Sequence, residues 1–142
     1  MSRLSVQHWI ACLDSQVVPP VGPSNFYNLL GVGHVHTFAG DIEFPAVIPE
    51  LNMFARFVNG TGVVVFEAEL VWLGTSGQVQ SVENLGFNQV TFRPGEFRRD
   101  VVFRYWNVPI VGVGEYAVRL SRHRSRRLRV LANEYFSVEQ LP

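Results

Sequence analysis

Between Val63 and Leu73 the side chains alternate strictly. Val64, Phe66, Ala68, Leu70 and Trp72 fall on one side of an extended chain; Val63, Val65, Glu67, Glu69, Val71 and Leu73 fall on the other. Period two is the mark of a strand with one apolar face and one mixed face, whereas a helix needs apolar residues three and four apart. The same alternation recurs along the chain, and Gly, Pro, Asn and Ser break it roughly every ten residues. It predicts an all-β chain of about eight short strands. These are Leu4–Val18, Leu29–Phe38, Leu51–Val58, Val63–Leu73, Phe87–Phe92, Val101–Trp106 running on towards Pro109, Gly114–Ser121 and Leu128–Val138.

The connections carry their own signals. Pro19-Pro20-Val21-Gly22-Pro23-Ser24 cannot join a ladder and is read as a loop. Asn59-Gly60 predicts a tight hairpin between Leu51–Val58 and Val63–Leu73, with both turn residues at positive φ. With Thr61 it also spells a glycosylation sequon, read here as a turn. The polar stretch Gly74–Asn84 is read as a connection, and Arg93-Pro94-Gly95-Glu96 as a turn. Strands that each bury one face close most simply as two stacked antiparallel sheets, a β-sandwich, with a closed barrel as the alternative. No repeat or linker divides residues 1–142, so one domain is expected.

The chain has 142 residues, 47% of them hydrophobic, with 11 Phe, 3 Trp and 4 Tyr. That content excludes a disordered chain. No uninterrupted apolar run is long enough for a membrane-spanning helix. Met1–His8 lacks an apolar core before a small-residue cleavage site, and the lone Cys12 cannot form an internal disulfide. A cytoplasmic protein without a membrane partner is therefore expected. Its 12 basic residues, all arginine, balance 12 acidic ones, which argues against a general nucleic-acid binder.

Two stretches carry a resemblance. Ala11-Cys12-Leu13-Asp14-Ser15-Gln16-Val17-Val18 is followed by Asn28-Leu29-Leu30-Gly31-Val32. Phe44-Pro45-Ala46-Val47-Ile48-Pro49-Glu50-Leu51 leads into Phe54-Ala55-Arg56-Phe57, and Gly114-Glu115-Tyr116 opens a closing strand. Over roughly Trp9 to Val138 the chain resembles a family of small bacterial proteins known as a domain of unknown function. The resemblance implies a single β-sandwich of immunoglobulin-like, Greek-key type in a bacterial cytosol. It implies no activity and no catalytic residues.

Several constellations offer chemistry. His34 and His36, two apart on a strand, point the same way and with Asp41 or Glu43 faintly suggest a cupin-like metal site. The one later histidine, His123, sits among arginines, a poor place for a cation; ordinary strand histidines are the expectation, with no metal and no cofactor. Glu67 and Glu69 share a face and are read as a solvated surface, or as cross-strand partners for Arg56 or Arg104, rather than as an acid–base pair. Cys12 and His8 on one strand stand too far apart for proton transfer, and Cys12 among Trp9, Ile10 and Leu13 is read as a core residue. No nucleophile elbow, phosphate loop, dinucleotide fingerprint or zinc-protease motif is present.

The one strongly biased patch is Arg122-His123-Arg124-Ser125-Arg126-Arg127, flanked by Arg119 and Arg129. As a hairpin tip, Arg122, Arg124, Arg126 and Arg127 form a candidate binding surface for phosphate, nucleic-acid backbone or an acidic partner; the plain alternative is a solvated end that discourages aggregation. The leading expectation is a non-enzymatic protein-interaction or structural module, its partner a protein and a second copy of the chain one candidate. An anion binder using the arginine tip comes second, and a cupin-like metal enzyme third.

Overall fold

The computed structural model describes residues 3–12, 14–18, 26–30, 35–74, 79–124 and 127–142. Every regular element among them is a strand: β1 (Ser5–Cys12), β2 (Asp14–Val18), β3 (Phe26–Leu30), β4 (Val35–Phe38), β5 (Ala46–Val58), β6 (Gly62–Trp72), β7 (Gln80–Phe92), β8 (Arg98–Ile110), β9 (Gly114–Arg124) and β10 (Arg127–Gln140). They form a three-stranded sheet in the order β1-β5-β8, a five-stranded sheet in the order β4-β10-β9-β6-β7, and a small β2-β3 pair. The all-β expectation holds. Among the described residues there is no helix, and so none long and apolar enough to cross a membrane.

The two larger sheets meet through their apolar faces. Val64, Phe66, Ala68 and Leu70 of β6 are all buried, as the alternation requires. They meet Leu51, Met53, Ala55 and Phe57 of β5 in one cluster. Phe57 stacks on Phe66 at 4.5 Å between ring centroids and takes Phe92 and Phe103 edge-on. Trp9 of β1 packs on Phe103 and donates its indole N–H to the Val118 carbonyl of β9 at 2.9 Å, so that buried polar group is satisfied across the sheets.

β5 and β8 depart from simple alternation, and they do so together. Leu51, Met53, Phe103 and Tyr105, all odd-numbered, face the core; beyond them the even-numbered Ile48, Val108 and Ile110 do. The switch falls where Pro49 lies opposite Asn107, whose φ is 51°. Pro49 has no N–H to give a ladder, and a left-handed residue on the facing strand turns both chains over by one residue. The pairing register is unchanged through it.

Four expectations are corrected. There are ten described strands, because Leu4–Val18 divides into β1 and β2, which join different sheets, and Leu29–Phe38 spans the end of β3 and all of β4. The arrangement is not wholly antiparallel: β4 runs parallel to β10, pairing His36 with Val138. Asn59-Gly60 does not close a hairpin, since β5 and β6 belong to different sheets; Asn59 takes φ 60° while the second positive φ falls on Gly62, and the chain arches across the core. Finally, the stretch read as a connection up to Asn84 already contains the start of β7. It is polar because β7 is the rim of its sheet, with register shifts opposite Ala68/Glu69 and Leu70/Val71 and little of its first half buried. The Pro19–Ser24 loop lies outside the described residues.

The Arg93–Glu96 turn stands as read. Arg93–Glu96 is closed by the Glu96 N–H donating to the Arg93 carbonyl at 3.1 Å, while the Glu96 carboxylate accepts from the Arg93 N–H at 2.8 Å. β9 and β10 form the expected closing hairpin, but their ladder runs on to Arg124 and Arg127, inside the stretch Arg122–Arg127 read as its tip, and residues 125–126 lie outside the described residues.

Candidate functional site: the arginine hairpin

The hairpin register decides which arginines converge. Arg124 is paired with Arg127, His123 with Leu128, Arg122 with Arg129 and Ser121 with Val130. Directly opposed residues share a face, so Arg122, Arg124, Arg127 and Arg129 all project to one side. His123, Leu128 and Val130 project to the other. β9 continues regularly from Tyr116, Val118 and Leu120, which are buried in the core. The arginine face is therefore the core-facing surface of the five-stranded sheet carried outwards along the hairpin.

Three of the four arginines, 124, 127 and 129, are exposed, and Arg122 is half-buried. No acidic group pairs with any of them among the described residues. Partial burial, then the charges of Arg124 and Arg129, hold the Arg122 guanidinium below its ordinary pKa. Like charges set directly opposite on a ladder destabilise it. The four side chains thus share one cationic face that has no counter-charge among the described residues.

Sequence reasoning placed Arg122, Arg124 and Arg127 here but assigned Arg129 only to the hairpin's stem. Extending both strands to Arg124 and Arg127 would have paired Arg129 with Arg122. Arg126 lies outside the described residues. Phe87 was missed: from β7 it stands 60% exposed and meets His123 edge-on at 5.7 Å. It belongs to the face opposite the arginines, since it pairs with Glu67, which pairs with Ser121.

The other candidates disperse. His34, and with it the histidine pair, lies outside the described residues. His36 is half-buried against Phe136, ring edge to ring face at 5.2 Å, and burial lowers its pKa. Among the described residues no three His, Cys, Asp or Glu side chains come together in a metal-binding group. Glu67 accepts a short hydrogen bond from the Asn84 amide, and Glu69 lies 3.9 Å from Arg119. The expected partners of the two glutamates are otherwise engaged: Arg56 holds Asp100 with two bonds, 2.8 and 3.0 Å, and Arg104 meets Glu50 at 3.3 Å. Cys12 is buried and His8 exposed. Of the three tryptophans, Trp9 is in the core, Trp72 stacks on Tyr116, and Trp106 is 63% exposed.

An open groove lies between the 59–62 turn and the Phe92–Phe97 segment. Of its two charged residues, Glu96 is already committed to the Arg93 N–H and to Arg99.

No family model matches the chain, and no curated protein matches it. Among solved structures it is similar to a β-glucosidase from Kluyveromyces marxianus in complex with glucose, with a TM-score of 0.50 and 20% identity over 64% of this chain and 12% of that one. It is also similar to the alkylpurine DNA glycosylase AlkC of Pseudomonas fluorescens bound to DNA with an abasic site analog, with a TM-score of 0.48 and 8% identity over 96% and 30%. A β-glucosidase from Listeria innocua follows, with a TM-score of 0.47 and 14% identity over 89% and 16%. The chain spans less than a third of each of these proteins. The likeness to the first is one of β fold alone.

Proposed function

We propose that the chain is a non-enzymatic interaction module, an immunoglobulin-like Greek-key sandwich that engages an anionic partner through Arg122, Arg124, Arg127 and Arg129. The observation that carries the reading is the convergence of four arginines on one hairpin face, with no acidic partner among the described residues. A cluster of like charges that has no acidic partner among the described residues is suited to an external one.

The finer fold reading rests on three features. The strand order places β10-β9-β6-β7 over β1-β5-β8, with each arch crossing between sheets. The parallel β4–β10 pair is added at the rim. Tyr116, at the start of β9, bonds back through its hydroxyl to the backbone of Gly112, the tyrosine-corner arrangement of immunoglobulin-like domains. Membership of the small bacterial family and a cytoplasmic location belong to the same proposal.

The test is retention on a polyanion, heparin, as salt is raised. The protein should bind at low salt and be released steeply as salt increases. The Arg122→Ser/Arg124→Ser/Arg127→Ser/Arg129→Ser variant should pass through with its melting temperature unchanged within a few degrees. Equal retention of the variant would remove the hairpin from the reading.

A further inference from the structure

Among the described residues, the rim of β10 next to the arginines has no strand partner. β4 covers β10 only from Ser137 to Gln140, and among the described strands none pairs with its outer edge between Arg127 and Val130. That stretch pairs regularly with β9: the one register shift in the hairpin lies beyond it, between Val130 and Ala132. Its backbone N–H and C=O groups on that side are a half-ladder that no described strand fills.

The side chains of the same stretch alternate in character. Arg127 and Arg129 lie on the cationic face; Leu128 and Val130, 55% and 49% exposed, lie on the other. A strand laid along this rim would present its own side chains with the same period of about 6.7 Å for alternate residues. Carboxylates on its one face would stand beside Arg127 and Arg129, and apolar side chains on its other face would cover Leu128 and Val130. The protein already makes the polar half of this contact within itself, where Arg56 grips the carboxylate of its register partner Asp100.

Other occupants fit less well. A second copy presenting the same rim would set Arg127 and Arg129 against their counterparts, and opposed like charges disfavour it. A nucleic-acid strand wants an aromatic stacking surface beside the cations, but Phe87 and His123 are on the opposite face.

Building on the anionic-partner reading, we infer that the Arg127–Val130 rim accepts an extended segment of another protein in which acidic and apolar residues alternate, added as a further strand to the sheet.

The test uses the full chain and an acetylated octapeptide of alternating Glu and Val. Controls are a peptide of the same composition with its four Glu contiguous, two versions N-methylated at alternate amides, oligo(dT) and heparin. The alternating peptide is expected to bind at least about tenfold more tightly than the block peptide. One N-methylation pattern should abolish binding and the other spare it, because alternate amides of an added strand face opposite ways. Arg127→Ser/Arg129→Ser should weaken binding about tenfold or more with the fold intact. Equal binding of alternating and block peptides, indifference to both methylation patterns, or oligo(dT) binding as tightly as the peptide would each overturn the strand-addition inference. Heparin binding without peptide binding overturns that inference alone; no binding to any anion overturns it together with the reading beneath it.

Discussion

The ring of Phe92 fills the place where a Cβ on Gly60 would stand, its nearest carbon 2.3 Å from that position. Phe92 is itself buried and meets Phe57 edge-on in the core, so it has little room to retreat. Gly60→Ala is expected to cost at least about 1–3 kcal/mol through overpacking. Gly62→Ala meets no atom within 4 Å but must adopt φ +65°, costing about 1–2 kcal/mol. Urea titrations of both variants check the order; a Gly62→Ala loss larger than that of Gly60→Ala would show that the arch tolerates bulk better than its close contact implies.

Tyr116 donates its hydroxyl to the Gly112 carbonyl at 2.6 Å and accepts from the Gly112 N–H at 3.1 Å. Tyr116→Phe keeps the stacking on Phe136 but orphans both backbone groups. A loss of about 1–3 kcal/mol is expected, read by denaturant unfolding with the β-sheet circular dichroism signal retained.

Asp100 is nearly buried, with a side-chain exposure of 7%, and each of its carboxylate oxygens accepts a bond from Arg56. Arg56→Ala strands that carboxylate and also removes the guanidinium lying 6.0 Å over Phe54. It should destabilise by about 1.5–3 kcal/mol. Replacing both residues, as Arg56→Met/Asp100→Leu, should recover part of the loss. A double-mutant cycle with no coupling would refute the pairing.

His36 gives stability a pH dependence. Burial lowers the pKa of its imidazole, so the unfolded chain, with an ordinary value of about 6.5, binds the proton more readily. The contribution of His36 is complete above that value and is lost as pH falls through it towards the lower folded pKa. Unfolding free energy measured from pH 7.5 to 5 should decline, and His36→Phe should decline less over the same window.

What the sequence discloses follows physical lines. The β6 face of Val64, Phe66, Ala68 and Leu70 is legible because a strand buried on one side must alternate. The β9–β10 hairpin is legible because charged residues crowd its end. Asn59-Gly60 misleads because a left-handed Asn serves an arch between sheets as well as a hairpin within one; only long-range pairing separates the two. The start of β7 is hidden because a rim strand has few apolar residues to bury. The phase change at Pro49 and Asn107 is visible only when both strands are laid side by side. At the candidate site, the arginines are plain in the sequence, yet the sharing of one face by Arg122 and Arg129 depends on the register.

The rims of the five-stranded sheet carry different defects with one effect. β7 is interrupted twice in its ladder to β6, and β4 at the other rim is only four residues long. A growing stack of identical chains needs long, straight borders on both sides to add to. β7 and β4 offer poor borders for such addition, and at the Arg127–Val130 stretch of β10 the arginines of two identical copies would oppose one another.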